Sequence, residues 1–179
     1  MSGLPIHRAL RENPDSEVIA ETLFVQLEIR LPGFRSILIT SADGQAQPFG
    51  LSIALTRVMI EAGGSARLVT IAPSSRDTTR SDETNSTLFG GEDIPTEQWT
   101  LKSSGSTEAA RMRLHDFSGR TLICTRSLST EPLALLAASQ VDGVVVAVRV
   151  RKTVRADVES TRAMLDDVGA TIIGAVTLL

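Results

Sequence analysis

The sequence contains no tyrosine, and all aromatic residues together make up only 3% of it. Within these 179 residues that excludes self-phosphorylation on tyrosine, and it removes the stacked rings on which single-stranded nucleic acids are held. A single cysteine, Cys124, cannot close an internal disulfide, and two histidines, His7 and His115, are too few for a structural zinc cluster. A reducing, cytoplasmic location is the expectation. Positive charge is also scarce: 18 Lys and Arg against 21 Asp and Glu give a net charge of −3, so phosphate backbones and anionic bilayers meet little attractive field. No run of eighteen apolar residues occurs, and Arg8, Arg11, Glu12, Asp15 and Glu17 interrupt the start of the chain. Neither a signal peptide, nor direct membrane insertion, nor a nucleic-acid partner is expected.

What is present is a hydrophobic fraction of 42%, enough to bury a core, and one domain over residues 1–179 is expected. Short runs of Ile, Val and Leu at 36–40, 67–71, 121–125, 144–148 and 171–176 are bounded by turn residues and read as buried strands. Between them the apolar spacing is helical, with Leu51, Leu55, Val58 and Ala62 in one segment and Val154, Val158, Thr161, Leu165 and Val168 in another. Gly63 and Gly169 stand where left-handed caps end such helices. A further helix is predicted over 14–31, entered through Asn13 and Pro14, with Ile19, Leu23, Leu27 and Leu31 on one face. Parallel strands need crossovers and the crossovers bring helices, so the fold class is α/β, an open parallel sheet with helices on both faces. Residues 73–106 depart from the pattern: Ser, Thr, Gly, Asp and Glu dominate, which predicts a polar, flexible excursion with one edge strand near Trp99 and Leu101.

In an open α/β sheet, ligands sit at the carboxyl ends of the strands, and the turn after the first strand is the usual phosphate cradle. Here that turn runs from Thr40 to Gly50. A phosphate loop needs glycines to turn its N–H groups inward, a lysine for charge and a Ser or Thr for magnesium. No Gly-Lys-Ser/Thr occurs anywhere in the chain. Cys124 lies inside an apolar run with no histidine beside it and reads as a core thiol. Neither His7 nor His115 has the setting of a general base. The cluster Arg149, Arg151, Lys152 and Arg155 is either a solvated helix start or a grip for a phosphate or an acidic partner. Asp166-Asp167 and Glu92-Asp93 read as solvated surface pairs, and nothing is assigned to the Ser- and Thr-rich stretch at 74–87.

The end of the chain, Val141-Asp142-Gly143 with the apolar run to Arg149, then Lys152-Thr153, Asp157-Val158 and Val168-Gly169-Ala170 before Ile172-Ile173-Gly174, resembles a known family. So does Ile37 to Ala42 followed by Ala62-Gly63. The family is the cytoplasmic P-loop domain of bacterial tyrosine autokinases serving capsule and exopolysaccharide assembly, relatives of the partition and division-site ATPases. The resemblance covers about residues 16–72 and 117–179 and implies a P-loop NTPase-like fold. Carried onto this sequence, the family's phosphate-loop lysine falls on Pro48 and its magnesium-binding Ser or Thr on Phe49. Its loop glycines fall on Gln45 and Gln47, leaving Gly44 beside them. Its second acidic motif falls on Thr70 and Ala72, its third-strand aspartate on Cys124, and the prolines after it on Arg126 and Ser127. Its Glu-x-x-Arg-x-x-Arg oligomerisation pattern becomes Glu21, Phe24 and Leu27.

Pro48 has neither an N–H nor a charge for a phosphate, and Phe49 places a ring where a hydrated Mg²⁺ would sit. The expectation is a pseudokinase without catalytic residues, metal or cofactor. It would act as a binding or regulatory component of polysaccharide biosynthesis and export. Its expected partner is the cytoplasmic part of a membrane chain-length or export protein or an active kinase homologue, which would bring it to the inner membrane, and a homo-oligomer is a further possibility. Glu21, Phe24, Leu27 and the four cations are the candidate contacts. The alternatives are a weak nucleotide-binding kinase or ATPase with a rearranged site, charge coming from Arg126 or the basic cluster, and a partition-type positioning protein.

Overall fold

The computed structural model describes residues 14–71, 94–99 and 117–178. In chain order the elements are α1 (Pro14–Arg30), β1 (Ser36–Ser41), α2 (Phe49–Glu61), β2 (Ala66–Ile71), β3 (Thr96–Trp99), β4 (Arg120–Cys124), α3 (Pro132–Ala138), β5 (Gly143–Arg149), α4 (Arg155–Asp167) and β6 (Ile172–Leu178). The strands form one sheet in the order β3-β2-β4-β1-β5-β6, and every pairing is parallel. The expected α/β class and open parallel sheet are what the chain adopts.

Side chains of a strand alternate between faces, so each apolar run feeds two cores. Ile37, Ile39, Leu68 and Leu122 join Leu27 of α1 and Leu55 and Met59 of α2 on one face. Leu38, Val69, Ile123, Val144 and Val146 join Leu133 of α3 and Leu165 of α4 on the other. Burial on both faces is why these strands read as continuous hydrophobic runs. β3 pairs with β2 at the sheet edge, Ile71 opposite Trp99, so the edge strand expected near Trp99 is present. Ala72, Leu101, Glu92-Asp93, both histidines and Asn13 lie outside the described residues.

Two local expectations are corrected. The helix α3 has no counterpart in the sequence reading, because seven residues are too few to show a period, although Pro132 at its first turn marks the start. In α4 only Thr161 and Leu165 are buried; Val154 is 56% and Val158 36% exposed. Val154 stands just before the helix, and Val158 faces a groove that Arg162 and Asp166 line from the helix and Gly174 and Ala175 from β6.

β1 and β4 are neighbours, yet α2 after β1 and α3 after β4 cover opposite faces. The chain therefore parts at the carboxyl ends of these two strands, where α/β sheets open a crevice. Among the described residues no helix is long and apolar enough to cross a membrane.

Candidate functional site: the loop between β1 and α2

The loop is organised around Asp43, a residue the sequence reading passed over. Its Oδ1 accepts hydrogen bonds from Ser41 Oγ at 2.9 Å, Gln45 N at 2.8 Å and Ala46 N at 3.0 Å. Its Oδ2 accepts from Arg149 Nε at 3.1 Å and Thr153 Oγ1 at 2.9 Å, and Arg149 Nη2 lies 3.1 Å away. Both hydroxyls are fixed by a second bond, since Ser41 Oγ accepts from Ala46 N and Thr153 Oγ1 from Arg149 N. Gly44, with φ of +67°, makes the left-handed turn that brings the following N–H groups back onto the carboxylate.

The Asp43 side chain is only 7% exposed. Burial resists its ionisation, but the N–H groups of Gln45 and Ala46 and the hydroxyls of Ser41 and Thr153 outweigh that and hold the carboxyl well below the usual carboxylate range. It is an anion at any physiological pH. Thr161 Oγ1 of α4 also donates to Ala42 O, tying that helix to the start of the loop.

Of the positions carried over from the P-loop pattern, only Gln45 contacts this carboxylate directly, through its N–H. Gln45 and Gln47 are exposed. Pro48 is buried and its carbonyl accepts from the N and Oγ of Ser52, while half-buried Phe49 packs on the core between α2 and the sheet. Thr70 and Cys124 sit opposite each other across β2 and β4. Burial pushes the Cys124 thiol up to about 11, against the lowering effect of a hydrogen bond with Ser52, so it is protonated at neutral pH. Among the described residues no three His, Cys, Asp or Glu side chains are grouped to hold a metal ion. Glu131, at the start of α3, is buried, and that burial pushes its carboxyl up. The hydroxyls of Thr40 and Thr125 are buried with no hydrogen-bond partner among the described residues.

The four cations of the cluster are placed differently. Arg149 turns inward to Asp43, Arg155 pairs with Glu159 at 2.6 Å, and Arg151 and Lys152 are exposed. Arg151 has a φ of +58°, a backbone conformation rare outside glycine, which turns the chain from β5 towards α4. Arg126 is exposed and Ser127 buried, packing near Gly44.

The three α1 candidates separate as well. Glu21 is exposed. Phe24 is half-buried at the opposite end of the sheet, where the Arg120 guanidinium lies over the rings of Phe34 and Phe24 at 4.4 and 5.4 Å and pairs with Glu28. Leu27 is fully buried and cannot contact a partner, because the stripe it belongs to faces the sheet. The outward face instead carries Val18, Val25 and Ile29, each more than half exposed. Their spacing of seven and four residues was legible in the sequence but is masked there by the stronger inward stripe.

No family model matches the chain, and no curated protein matches it by sequence. Solved structures do match it in shape. The kinase domain of the Escherichia coli tyrosine kinase ETK superposes over 90% of this chain and 74% of its own, with a TM-score of 0.70 at 15% identity. The chimerical protein CapA2B2 covers 96% of this chain and 87% of its own, at 0.67 and 17%. The BceF tyrosine kinase domain covers 90% and 75%, at 0.56 and 11%. The six-stranded parallel sheet with its two helical layers is thus the fold these three structures share, two of which are tyrosine kinase domains.

Proposed function

We propose that this chain is a non-catalytic, tyrosine-autokinase-like domain that serves as a binding or regulatory component of exopolysaccharide or capsular polysaccharide biosynthesis and export. The observation that carries the proposal is the engagement of Asp43: the donors at the head of the loop, Gln45 N, Ala46 N and the Arg149 guanidinium, already hold a carboxylate. Phosphoryl transfer needs such donors free for the transferring group, together with a cation. A triphosphate entering here would meet a fixed negative charge, with Pro48 and Phe49 where a lysine and a magnesium-binding hydroxyl belong in the family that the sequence resembles.

A domain that has lost its chemistry acts through its surfaces. The outward apolar stripe Val18, Val25 and Ile29 on α1 suits a partner helix, and exposed Arg151 and Lys152 add positive charge at the carboxyl edge. The partner chemistry proposed is the cytoplasmic part of a membrane chain-length or export protein, or a catalytically competent relative of this chain. Calorimetry with ATP and Mg²⁺ tests the catalytic half of the proposal. No heat of binding below millimolar concentration is expected, and micromolar affinity with turnover would overturn it. Capture of a polysaccharide-export protein by the native chain, lost in Val25→Glu, tests the other half.

A further inference from the structure

We propose that the loop between β1 and α2 is an intact oxyanion receptor whose resident ligand is the protein's own Asp43 carboxylate, and that withdrawing this carboxylate opens it to a small external oxyanion. The inference concerns the loop alone and stands whether or not the partner named above is right.

A side chain that merely stabilises a turn needs one or two local N–H groups, as an aspartate does when it caps the residues that follow it. Asp43 receives those, from Gln45 and Ala46, on Oδ1. Its other oxygen is met by a separate set delivered from the far end of the chain: the Arg149 guanidinium, which approaches through both Nε and Nη2, and the Thr153 hydroxyl. Ser41 completes the first set from β1. The result is two main-chain N–H groups, two hydroxyls and a guanidinium converging on one anionic group that is nearly shut off from water. That donor set is the chemistry by which proteins bind phosphate and carboxylate ligands.

Three of the five donors also have a bond that does not involve the carboxylate. Ala46 N has a second acceptor in Ser41 Oγ, and Thr153 Oγ1 is fixed by Arg149 N. Ala42 is anchored to Thr161 through its carbonyl and to β5 through its N–H, which donates to Ala147 O. Removing Asp43 side-chain atoms therefore leaves a positively charged, partly preorganised concavity. Its natural guest is a formate-, acetate- or phosphate-sized anion carrying the two oxygens that Asp43 now supplies. In the native chain, the same arrangement keeps the loop in its ligand-filled conformation without any ligand.

The test is the thermal unfolding of the full chain and its Asp43→Ala variant in formate, acetate or phosphate, each matched in ionic strength by chloride. The variant should melt lower in chloride. It should then regain melting temperature saturably with one or more of the three anions, by about 3–5 °C at ten times the dissociation constant, while the native chain follows the chloride control. Recovery with formate and acetate alone marks a carboxylate-shaped site, and recovery with phosphate marks one that admits a tetrahedral anion; either supports the proposal. Adding Arg149→Leu to the variant should abolish the recovery. Where Asp43→Ala does not fold, Asp43→Ser, which removes both carboxylate oxygens, takes its place, with the Gln45 and Ala46 amide resonances followed during phosphate titration. Variants that respond to all anions as to chloride would overturn the proposal. Specific stabilisation of the native chain by phosphate would overturn it too, because the receptor would then be empty, and micromolar ATP binding would separately refute the non-catalytic reading.

Discussion

The two ends of the sheet each hold an arginine against a carboxylate, and they do so in opposite ways. At the carboxyl end Arg149 and Asp43 form the centre of a closed polar network in which the acid is almost entirely buried. At the amino end Arg120 pairs with Glu28, an acid whose side chain is 35% exposed to water, and it lies on the faces of Phe34 and Phe24, lining a groove of about 400 Å³. The first arrangement gets its strength from many oriented donors around one charge. The second relies on stacking and an ion pair that water screens. The lesson is that the two salt bridges, similar as pairs, should differ greatly in what their loss costs.

The largest effect should come from Asp43→Ala, which leaves Arg149 and two N–H groups facing inward without their main acceptor. A loss of about 3–5 kcal/mol in urea unfolding is expected. The pH dependence follows in sign. Because the folded carboxyl is held below its unfolded value, its contribution is full above about pH 4 and disappears as the pH falls further, and the variant should lack that part of the acid sensitivity. At the opposite end Arg120→Ala should cost only about 1–2 kcal/mol by the same measurement. Equal losses at the two ends would break the comparison. Thr40→Val should act in the other direction, raising stability by about 1 kcal/mol, since it replaces a buried hydroxyl that has no partner among the described residues by a methyl of similar shape. The smallest change is expected for Glu131→Gln. Burial raises this carboxyl above its unfolded value, so its contribution is lost as the pH rises from the ordinary glutamate range through the folded pKa, and the variant should show a slightly flatter decline over that rise.

Much of the fold could be read from the chain because its central strands are covered on both faces. A strand such as Val144 to Val148 must then be apolar throughout, and it announces itself without help from its neighbours. Helix α1 was legible for a related reason, since Leu23, Leu27 and Leu31 repeat every turn. The failures lie where tertiary contacts decide. Val154 and Val158 share the spacing of Thr161 and Leu165, but Val154 stands before the helix and Val158 faces an open groove beside Gly174 and Ala175. The site was legible only through the residues that a phosphate-loop pattern seeks and this loop does not have. Comparing the loop with a pattern of glycines, lysine and hydroxyl shows what is missing, and an aspartate is not a residue that such a pattern seeks. The pair Asp43-Gly44 did carry a local signal, that of an aspartate accepting from N–H groups two and three residues on. Its union with Arg149 and Thr153 did not, because only the crossover through β4 and α3 brings β5 beside β1.

The strand order also dictates when the domain can take shape during synthesis. Ser36 of β1 lies opposite Thr121 and Ile37 opposite Gly143, so the middle strand leaves the ribosome long before either neighbour exists. Until then its buried face can be sheltered only by α1 and α2, which emerge around it. With so few local pairings, folding should be slow for a chain of this length, and a nascent β1 is where a chaperone would find its hold.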